Sequence, residues 1–389
     1  MRPVKQAAVV STHTLVFFAP LATSSTVVGL IMLTRFSRDA FLFVSASMLA
    51  YSYKDTKAMN LRQYFKRRFT SVGVPYLAWT VIYYFFTLSN PVSGFPFYTL
   101  HGSGAFSVSG FHYFIHILWT GYYHLYYLIV IMEFYALFPL LLLLVRRFPQ
   151  WHARIFVMSI LWQIVYGVFL NAHYFGFTVS GYTQTRLILS YPIYLVGGVI
   201  AAMHLDDVHQ WVCRHTRSIL VGTVMAALVA EIFAYLERFS WLPAYLHTGP
   251  DVFAPALVPY NVGAILCVYL LGVYLVSPKR TLRTRAMVQS GSDNSYGVYL
   301  SQMLWIPFLL RIDHNLSFHI PWPIVVPLVL VIVYFVGFGF TAFMARTPLA
   351  RAVTGRSRAP WSTLIPHTPR SEAVLHPDTG DSPLDVAKE

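Results

Sequence analysis

The stretch YYLIVIMEFYALFPLLLLLV, residues 126–145, decides the class of fold to which this chain belongs. Its twenty consecutive positions contain one charged residue, Glu133. An α-helix rises about 1.5 Å per residue, so a helix of this length matches a bilayer core that is about 30 Å thick. Strands of a membrane barrel would instead be short segments of alternating hydrophobicity. The stretch therefore predicts a membrane-spanning helix.

Similar apolar runs recur along the 389 residues, of which 56% are hydrophobic and 11% charged, with a mean hydropathy of +0.56. A soluble globular chain has about 25% charged residues. We predict an all-α polytopic membrane protein with about ten transmembrane helices. The predicted helices span residues 6–33, 39–53, 69–88, 122–145, 155–173, 186–203, 218–238, 255–276, 292–312 and 324–345.

The distribution of positive charge predicts the orientation of these helices. The net charge is +13, and 23 of the 28 Lys and Arg residues fall in segments that this helix order places on one side of the membrane. Lys and Arg concentrate in cytoplasmic loops, so both termini are predicted to be cytoplasmic. This asymmetry explains the basic composition, and we expect no nucleic-acid binding. Residues 1–345 form the predicted membrane domain, and residues 346–389, basic and then acidic and rich in Pro, form a predicted disordered cytoplasmic tail.

The two cysteines, Cys213 and Cys267, are assigned to a cytoplasmic loop and to the middle of an apolar run, and no disulfide is expected. The first apolar run lacks a small-residue cleavage site after a short core, so no cleavable signal is expected. His112 and His116 have the i,i+4 spacing of zinc ligands, with His101 nearby. No acidic residue lies between them to act as a general base, and we interpret these histidines as interfacial. No metal is predicted.

Arg2 and His13 are the first candidates for chemistry. They are eleven positions apart. In a helix they share one face, because eleven steps of about 100° exceed three full turns by roughly 20°. His13 then lies roughly 16 Å deeper than Arg2, near the middle of the bilayer if Arg2 marks its surface. A histidine at that depth is either packed against a neighbouring helix or acts as a general base near neutral pH, and we favour the base.

Arg38 and Asp39 form the second candidate pair. One interpretation is an ion pair at the start of a helix, where an acidic residue complements the helix dipole. The other is a site pair, in which Asp39 orients His13 or an incoming hydroxyl and Arg38 holds an anion. The residues alone leave both interpretations open.

Further candidates are single ionisable residues within or beside apolar runs. Glu133 must have a partner, because an unpaired buried carboxylate is costly, and Glu231 is similar but nearer a helix end. His124 is a candidate for a substrate pocket. In the run YFKRRF, residues 64–69, most positive charges signal topology, and the alternative is that Arg67 or Arg68 holds the phosphates of a donor such as a coenzyme A thioester.

Several motifs give the chain a family resemblance. From Arg2 to about residue 345 it resembles the bacterial integral-membrane acyltransferase 3 family, which O-acylates glycans and lipids of the cell envelope. The similar motifs are R-x10-H from Arg2 to His13, RDAFLFVSASML at 38–49 with Asp39 and Ser45 at the family's Asp and Ser places, YFKRRFTSVGVPYLAW at 64–79, GYYHLYYL at 121–128 and SYGVYLSQ at 295–302.

The resemblance implies transfer of an acyl group, most often acetyl, from acyl-CoA to a hydroxyl of an envelope polysaccharide, glycolipid or lipid-linked sugar, in the bacterial plasma membrane. It implies that His13 is the catalytic base or assists an acyl relay, and that Asp39 orients it. Together with the residue analysis it gives two predicted binding sets. The donor-binding residues are Arg67 and Arg68, and the substrate-binding residues are Arg2, Arg38, Ser45, His124, Glu133 and Tyr299.

The chain departs from the family pattern at three places: Ala46 replaces a Gly, Gln302 replaces a common His, and Ser71 replaces the second Arg of R-x-x-R. The last departure weakens the assignment of phosphate binding to Arg68. Two other classes of function stay open. A transporter or flippase of an envelope glycan or lipid precursor would also need intramembrane charge and kinking prolines, and a non-catalytic partner of an envelope synthase would keep the helices. The acceptor, the acyl chain and the oligomeric state are not predicted.

Overall fold

The computed structural model describes residues 2–20, 24–56, 59–89, 107–171, 186–238, 256–318 and 320–361. These residues form helices and connecting segments, with no strand among them. The α-helices are α1 (Arg2–Phe18), α2 (Ser25–Thr34), α3 (Phe36–Tyr53), α4 (Leu61–Arg68), α5 (Val74–Ser89), α6 (Val108–Thr120), α7 (Tyr126–Arg147), α8 (His152–Asn171), α9 (Pro192–Met203), α10 (Leu205–Arg214), α11 (Thr216–Arg238), α12 (Leu257–Val276), α13 (Leu282–Asn315), α14 (Trp322–Met344) and α15 (Ala350–Thr354).

The prediction of an all-α membrane protein is confirmed. Five helical segments are long and apolar enough to cross a membrane. They are Leu61–Leu88, Val108–Arg147, Thr216–Leu236, Leu257–Val276 and Trp322–Met344. The chain is thus a multi-pass membrane protein, and the count of ten helices and the cytoplasmic termini stay predictions.

The outer faces of these helices are apolar and the centre is filled by aromatic side chains. Val224, Leu140 and Phe335 on the outside are 60%, 66% and 68% exposed. In water this exposure would be costly, whereas lipid tails match it. Trp79 and Phe138 at the centre are fully buried. The hydrophobic core therefore lies between the helices and the lipid-facing surface surrounds it.

The predicted first helix, residues 6–33, is two helices in the structure. Proline has no N–H and disfavours helical backbone in the residue before it, so Pro20 ends the helix that contains His13. α1 ends at Phe18, and α2 begins after Ser24, whose hydroxyl accepts a hydrogen bond from the amide of Val27 at 3.4 Å. Arg2 and His13 still share one unbroken helix, α1.

The predicted third helix begins earlier than residue 69. Asn60 caps α4 by accepting a hydrogen bond from the amide of Gln63 at 3.0 Å. Between α4 and α5 the segment Phe69–Gly73 forms a π-helical turn. Pro75 follows this turn and cannot donate to the carbonyl of Ser71, which explains the local change of hydrogen-bonding register.

Three segments assigned to loops or to the tail contain helices. α6 lies between the predicted helices 69–88 and 122–145 and is capped by Ser107, and α10 lies in the predicted loop after residue 203. α15 belongs to the predicted tail and packs inward, because Trp79 Nε1 donates to the carbonyl of Val353 at 2.9 Å. His101 and residues 362–389 of the tail lie outside the described residues.

α1 holds the central position for the chemistry. It packs against α2, α3, α13 and α14. Side chains on several faces of α1 therefore meet other helices, and Lys5, Gln6 and Thr14 are buried. This packing fixes the direction in which Arg2 and His13 point.

Candidate active site

His13 faces the turn that joins α6 to α7. Its Nδ1 lies 3.3 Å from the hydroxyl of Tyr123, and the two rings are 5.1 Å apart. The ring of His124 lies 6.3 Å from the His13 ring, edge to face. Arg35, directly after α2, is a charged side chain that acts electrostatically on His13. His13 Nε2 makes no hydrogen bond to the described residues, so this nitrogen is the one available for chemistry.

The turn that presents Tyr123 and His124 has an unusual backbone. Gly121 has φ +77° and ends α6. Tyr123 has φ +31°, a positive value that is strained for a bulky side chain and costs about 1–3 kcal/mol. The turn is held by packing, since Tyr122 stacks on Tyr83 at 4.6 Å. Strain maintained by surrounding packing is typical of functional sites.

His124 is enclosed by phenol rings. It is 3% exposed, and its ring lies 5.4 Å from that of Tyr83 and 5.1 Å from that of Tyr299. The Tyr299 hydroxyl donates to the backbone carbonyl of His124 in a short hydrogen bond. The backbone of Tyr299 and Leu300 supplies hydrogen-bond acceptors to the His124 ring, outside the limits of ordinary hydrogen-bond geometry. His124 is therefore held among phenol rings and backbone groups beside His13.

A cavity of about 240 Å³ begins on the other side of Tyr299. Three predicted substrate-binding residues line it: Arg2, Ser45 and Tyr299. Tyr127 and Tyr296 also line it, and their hydroxyls are buried without a hydrogen-bond partner among the described residues. The cavity therefore offers unpaired phenols to a polar ligand close to His124.

Arg2 and His13 mark two depths along α1. Eleven residues of helix correspond to roughly 16 Å along its axis. Arg2 Nη2 donates to the sulfur of Met48 at 3.3 Å, and no carboxylate of the described residues pairs with it. Arg2 and Tyr299 thus both line the cavity, and Tyr299 packs on His124, which lies between it and His13.

The two donor-binding candidates have different positions. Arg67 is exposed. The guanidinium of Arg68 lies over the rings of Tyr64 and Tyr135, 5.7 and 5.4 Å from their centres. Tyr135 lines the cavity, so Arg68 borders the site and Arg67 does not.

Asp39 makes no hydrogen bond or ion pair to His13 among the described residues, and its role in orienting a hydroxyl stays a prediction. Its Oδ1 lies 3.4 Å from Nε of Arg38, and its Oδ2 accepts from Asn261 Nδ2 at 2.8 Å. Asn261 Nδ2 also donates to the Tyr194 hydroxyl at 3.2 Å. This buried network joins α3, α9 and α12, and the ion pair is the interpretation of Arg38 and Asp39 that agrees with the geometry.

Glu133 and the histidines of α6 also lie apart from His13. Glu133 Oε2 accepts from the amide of Ile188 at 3.1 Å, which supplies the partner that its partial burial requires. Glu231 packs against Gly29 on α2. His112 and His116 are exposed. Among the described residues no three His, Cys, Asp or Glu side chains are grouped as metal ligands.

The sequence analysis did not select four residues that the structure brings to the site or its cavity. Tyr123 and Tyr127 lie in the quoted motif GYYHLYYL, and their position beside His124 was a signal for both. Asp293 and Arg356 line the cavity from α13 and from the segment after α15. Neither stood in a recognisable motif, so only the tertiary structure identifies them.

His13 packs near His124, and Tyr299, which packs on His124, also lines the cavity. A family model described as an acyltransferase domain, of the acyltransferase 3 type, matches residues 7–342. The chain belongs to the acyltransferase 3 family. Neither a curated protein nor a solved structure matched it.

This acyltransferase is therefore a membrane enzyme at the level of its family, which confirms the resemblance found in the motifs. The matched region contains His13 and the whole turn from Gly121 to His124. It ends before α15, so the part of the cavity wall formed by residues 354–356 is outside the match.

Proposed function

We propose that this acyltransferase moves an acyl group, acetyl in the simplest case, from acyl-CoA to a hydroxyl of an envelope polysaccharide, glycolipid or lipid-linked sugar. The donor occupies the cavity lined by Arg2, Ser45 and Tyr299. The acceptor hydroxyl meets the thioester beside His13.

One observation carries the proposal: Tyr299 lines the cavity and also packs on His124, the histidine beside His13. The Tyr299 ring lies 5.1 Å from the His124 ring, and the His124 ring lies 6.3 Å from the His13 ring. In the proposed complex the donor has one end near Arg2 and its thioester near Tyr299, the cavity residue that packs on His124. Such an arrangement holds a donor in an orientation suited to attack.

In the proposed step His13 Nε2 accepts the proton of the acceptor hydroxyl. For this, Nδ1 keeps the other ring proton and donates a hydrogen bond to the Tyr123 oxygen. The hydroxyl oxygen forms a bond to the thioester carbonyl carbon, and the bond from that carbon to sulfur breaks. The CoA thiolate then takes the proton from the imidazolium. The cationic side chain of Arg35 acts electrostatically on His13, and it would stabilise the negative charge that develops on the reacting oxygens.

The test is acyl transfer by the purified protein in detergent. Wild type and His13→Gln are incubated with acetyl-CoA and an envelope extract, and free thiol and labelled product are measured. General-base catalysis contributes about 10²–10⁴-fold, so His13→Gln is expected to lower turnover by at least about 10². The matched control is His112→Gln, which changes an exposed histidine of α6.

Unchanged turnover in His13→Gln, with the unfolding temperature of wild type, would overturn the role of His13. Absence of thiol release by wild type with several acyl-CoA donors would overturn the proposed activity. Uptake of a glycan or lipid precursor into vesicles by the same preparation would then favour the transporter alternative.

A further inference from the structure

The cavity wall includes a segment outside the family match. Thr354, Gly355 and Arg356 line the cavity, while the match ends at residue 342. These residues follow the last predicted transmembrane helix and belong to the segment assigned to the tail. The family match therefore assigns no role to this part of the cavity wall.

Backbone and side-chain contacts fix the segment in place. The Val353 carbonyl accepts from Trp79 Nε1, and the amide of Ala359 donates to the carbonyl of Ala345 at 2.9 Å. Gly355 has φ +69°, and a Cβ built there would lie 2.6 Å from the carbonyl oxygen of Ser71. Only glycine combines this backbone conformation with so close an approach. These contacts therefore hold the segment in a fixed position as part of the cavity wall.

The segment brings a cation to the cavity. The guanidinium of Arg356 donates from Nη2 to Asp293 Oδ1 at 2.8 Å and from Nη1 to the Asp293 carbonyl at 2.9 Å. The side chains of Arg356 and Asp293 are 49% and 35% exposed, and an ion pair so exposed to solvent contributes little stability. A ligand phosphate can thus replace the carboxylate at small cost, in the bidentate geometry that arginine favours.

The charged lining residues of the cavity are mostly cationic. They are Arg2, Asp293 and Arg356, and two of these three are positive. The lining also includes Tyr127, Tyr296 and Tyr299, of which Tyr299 contacts His124. A ligand that carries both anionic groups and a weakly polar reactive group matches this lining.

We infer that Arg356 binds a phosphate of the acyl-CoA donor, together with Arg2, and that Asp293 is the counter-ion that the phosphate displaces. The inference rests on the proposed function, because it takes acyl-CoA as the ligand. It assigns donor recognition to a residue in the segment after α15, where the sequence analysis had assigned it to Arg67 and Arg68.

The test compares a donor with phosphates and a donor without them. Steady-state kinetics with acetyl-CoA and with acetyl-pantetheine are measured for wild type, Arg356→Gln and Asp293→Asn, and binding of CoA and pantetheine is measured by calorimetry. Arg356→Gln is expected to raise KM for acetyl-CoA and Kd for CoA about tenfold, because a charge-assisted hydrogen bond is lost. Its KM for acetyl-pantetheine stays at the wild-type value. Asp293→Asn leaves CoA binding unchanged or tighter.

A purely structural ion pair gives a different pattern. Both variants would then change the two donors equally, and that result overturns the inference. Arg358→Gln is the matched control, since Arg358 lies in the same segment and donates to the Arg346 carbonyl at 2.8 Å. If wild type transfers the acyl group and Arg356→Gln shows no donor-specific effect, the inference is overturned and the proposed function stands. If CoA binding depends on Arg356 but wild type transfers no acyl group, the proposed function is overturned and the phosphate site stands.

Discussion

Two aromatic neighbours determine what His13 can do. The Tyr123 hydroxyl lies 3.3 Å from Nδ1, so it fixes the ring and directs the other nitrogen away from it. His124 faces the same ring edge to face, and the backbone of Tyr299 and Leu300 supplies hydrogen-bond acceptors to the His124 ring. A base held by one nitrogen and free at the other is the arrangement that proton abstraction requires.

Tyr123→Phe is expected to lower kcat about three- to tenfold and to leave KM for the donor unchanged. The reason is that a neutral hydrogen bond contributes about 0.5–1.5 kcal/mol, and Tyr123 positions His13 without lining the cavity. Tyr122→Phe is the control, because Tyr122 belongs to the same turn and stacks on Tyr83. The two variants are compared by initial rates at saturating donor. Equal loss in both would assign the effect to the turn and not to the hydrogen bond.

Asp39, which stands in a family-like position, has two polar partners within the protein. Its carboxylate is 1% exposed and is shared between Arg38 and Asn261. A buried carboxylate needs such partners, and these come from α3 itself and from α12. Asp39 thus connects helices that surround the site and does not touch the base.

At the scale of elements, the turn between α6 and α7 positions both aromatic neighbours of His13. Gly121 makes the turn possible, because its φ of +77° lies in a region that side chains rarely adopt. A Cβ built there would lie 2.5 Å from the backbone nitrogen and Cα of Tyr126. The first turn of α7 therefore has to move if this residue acquires a side chain.

Gly121→Ala is expected to lower the free energy of unfolding by about 1–3 kcal/mol and to reduce turnover. Gly339→Ala is the control, since nothing lies within 4 Å of a Cβ built in that exposed position of α14. Alanine in a helix interior is favoured over glycine by about 0.5–1 kcal/mol, so this control is expected to be neutral or stabilising. Chemical denaturation in detergent measures both. Wild-type stability and turnover in Gly121→Ala would contradict the proposed importance of the turn.

At the scale of the whole molecule, the charged segments between apolar helices predict the orientation of the chain in the membrane. α10 begins with two acidic residues, carries Arg214 near its end and contains the exposed Cys213. The positive-inside pattern predicts that this region lies in the cytoplasm. The proposed donor, acyl-CoA, is a cytoplasmic compound. We therefore expect the cavity lined by Arg2 to open to the cytoplasmic side of the membrane.

Cys213 is expected to react with a membrane-impermeant maleimide in inverted vesicles and to stay unmodified in intact cells. The exposed thiol is accessible only from the side on which α10 lies. Cys213→Ser, which leaves Cys267 in the chain, is the control for labelling at the partly buried position. Mass spectrometry locates the modification. Labelling of Cys213 in intact cells would reverse the predicted orientation.

The sequence by itself determined the class of fold, the family and the helix face that Arg2 and His13 share. Long apolar runs permit only helices in a bilayer, because every backbone polar group must be satisfied within the segment. The spacing from Arg2 to His13 fixed their common face, since both residues lie in α1. The break at Pro20 also has a local cause, the missing N–H of proline, although its consequence of two separate helices was not predicted.

Only the tertiary structure decided which side chains meet His13 and what encloses the cavity. Tyr123 and His124 reach it across more than a hundred positions of the sequence, and Arg356 reaches Asp293 across sixty-three. Such contacts depend on the packing of α1 against α13 and α14 and on a turn whose strain is maintained by surrounding rings. The sequence defines which chemical groups are present. The distances that bring these groups together in one site are set only when the helices pack.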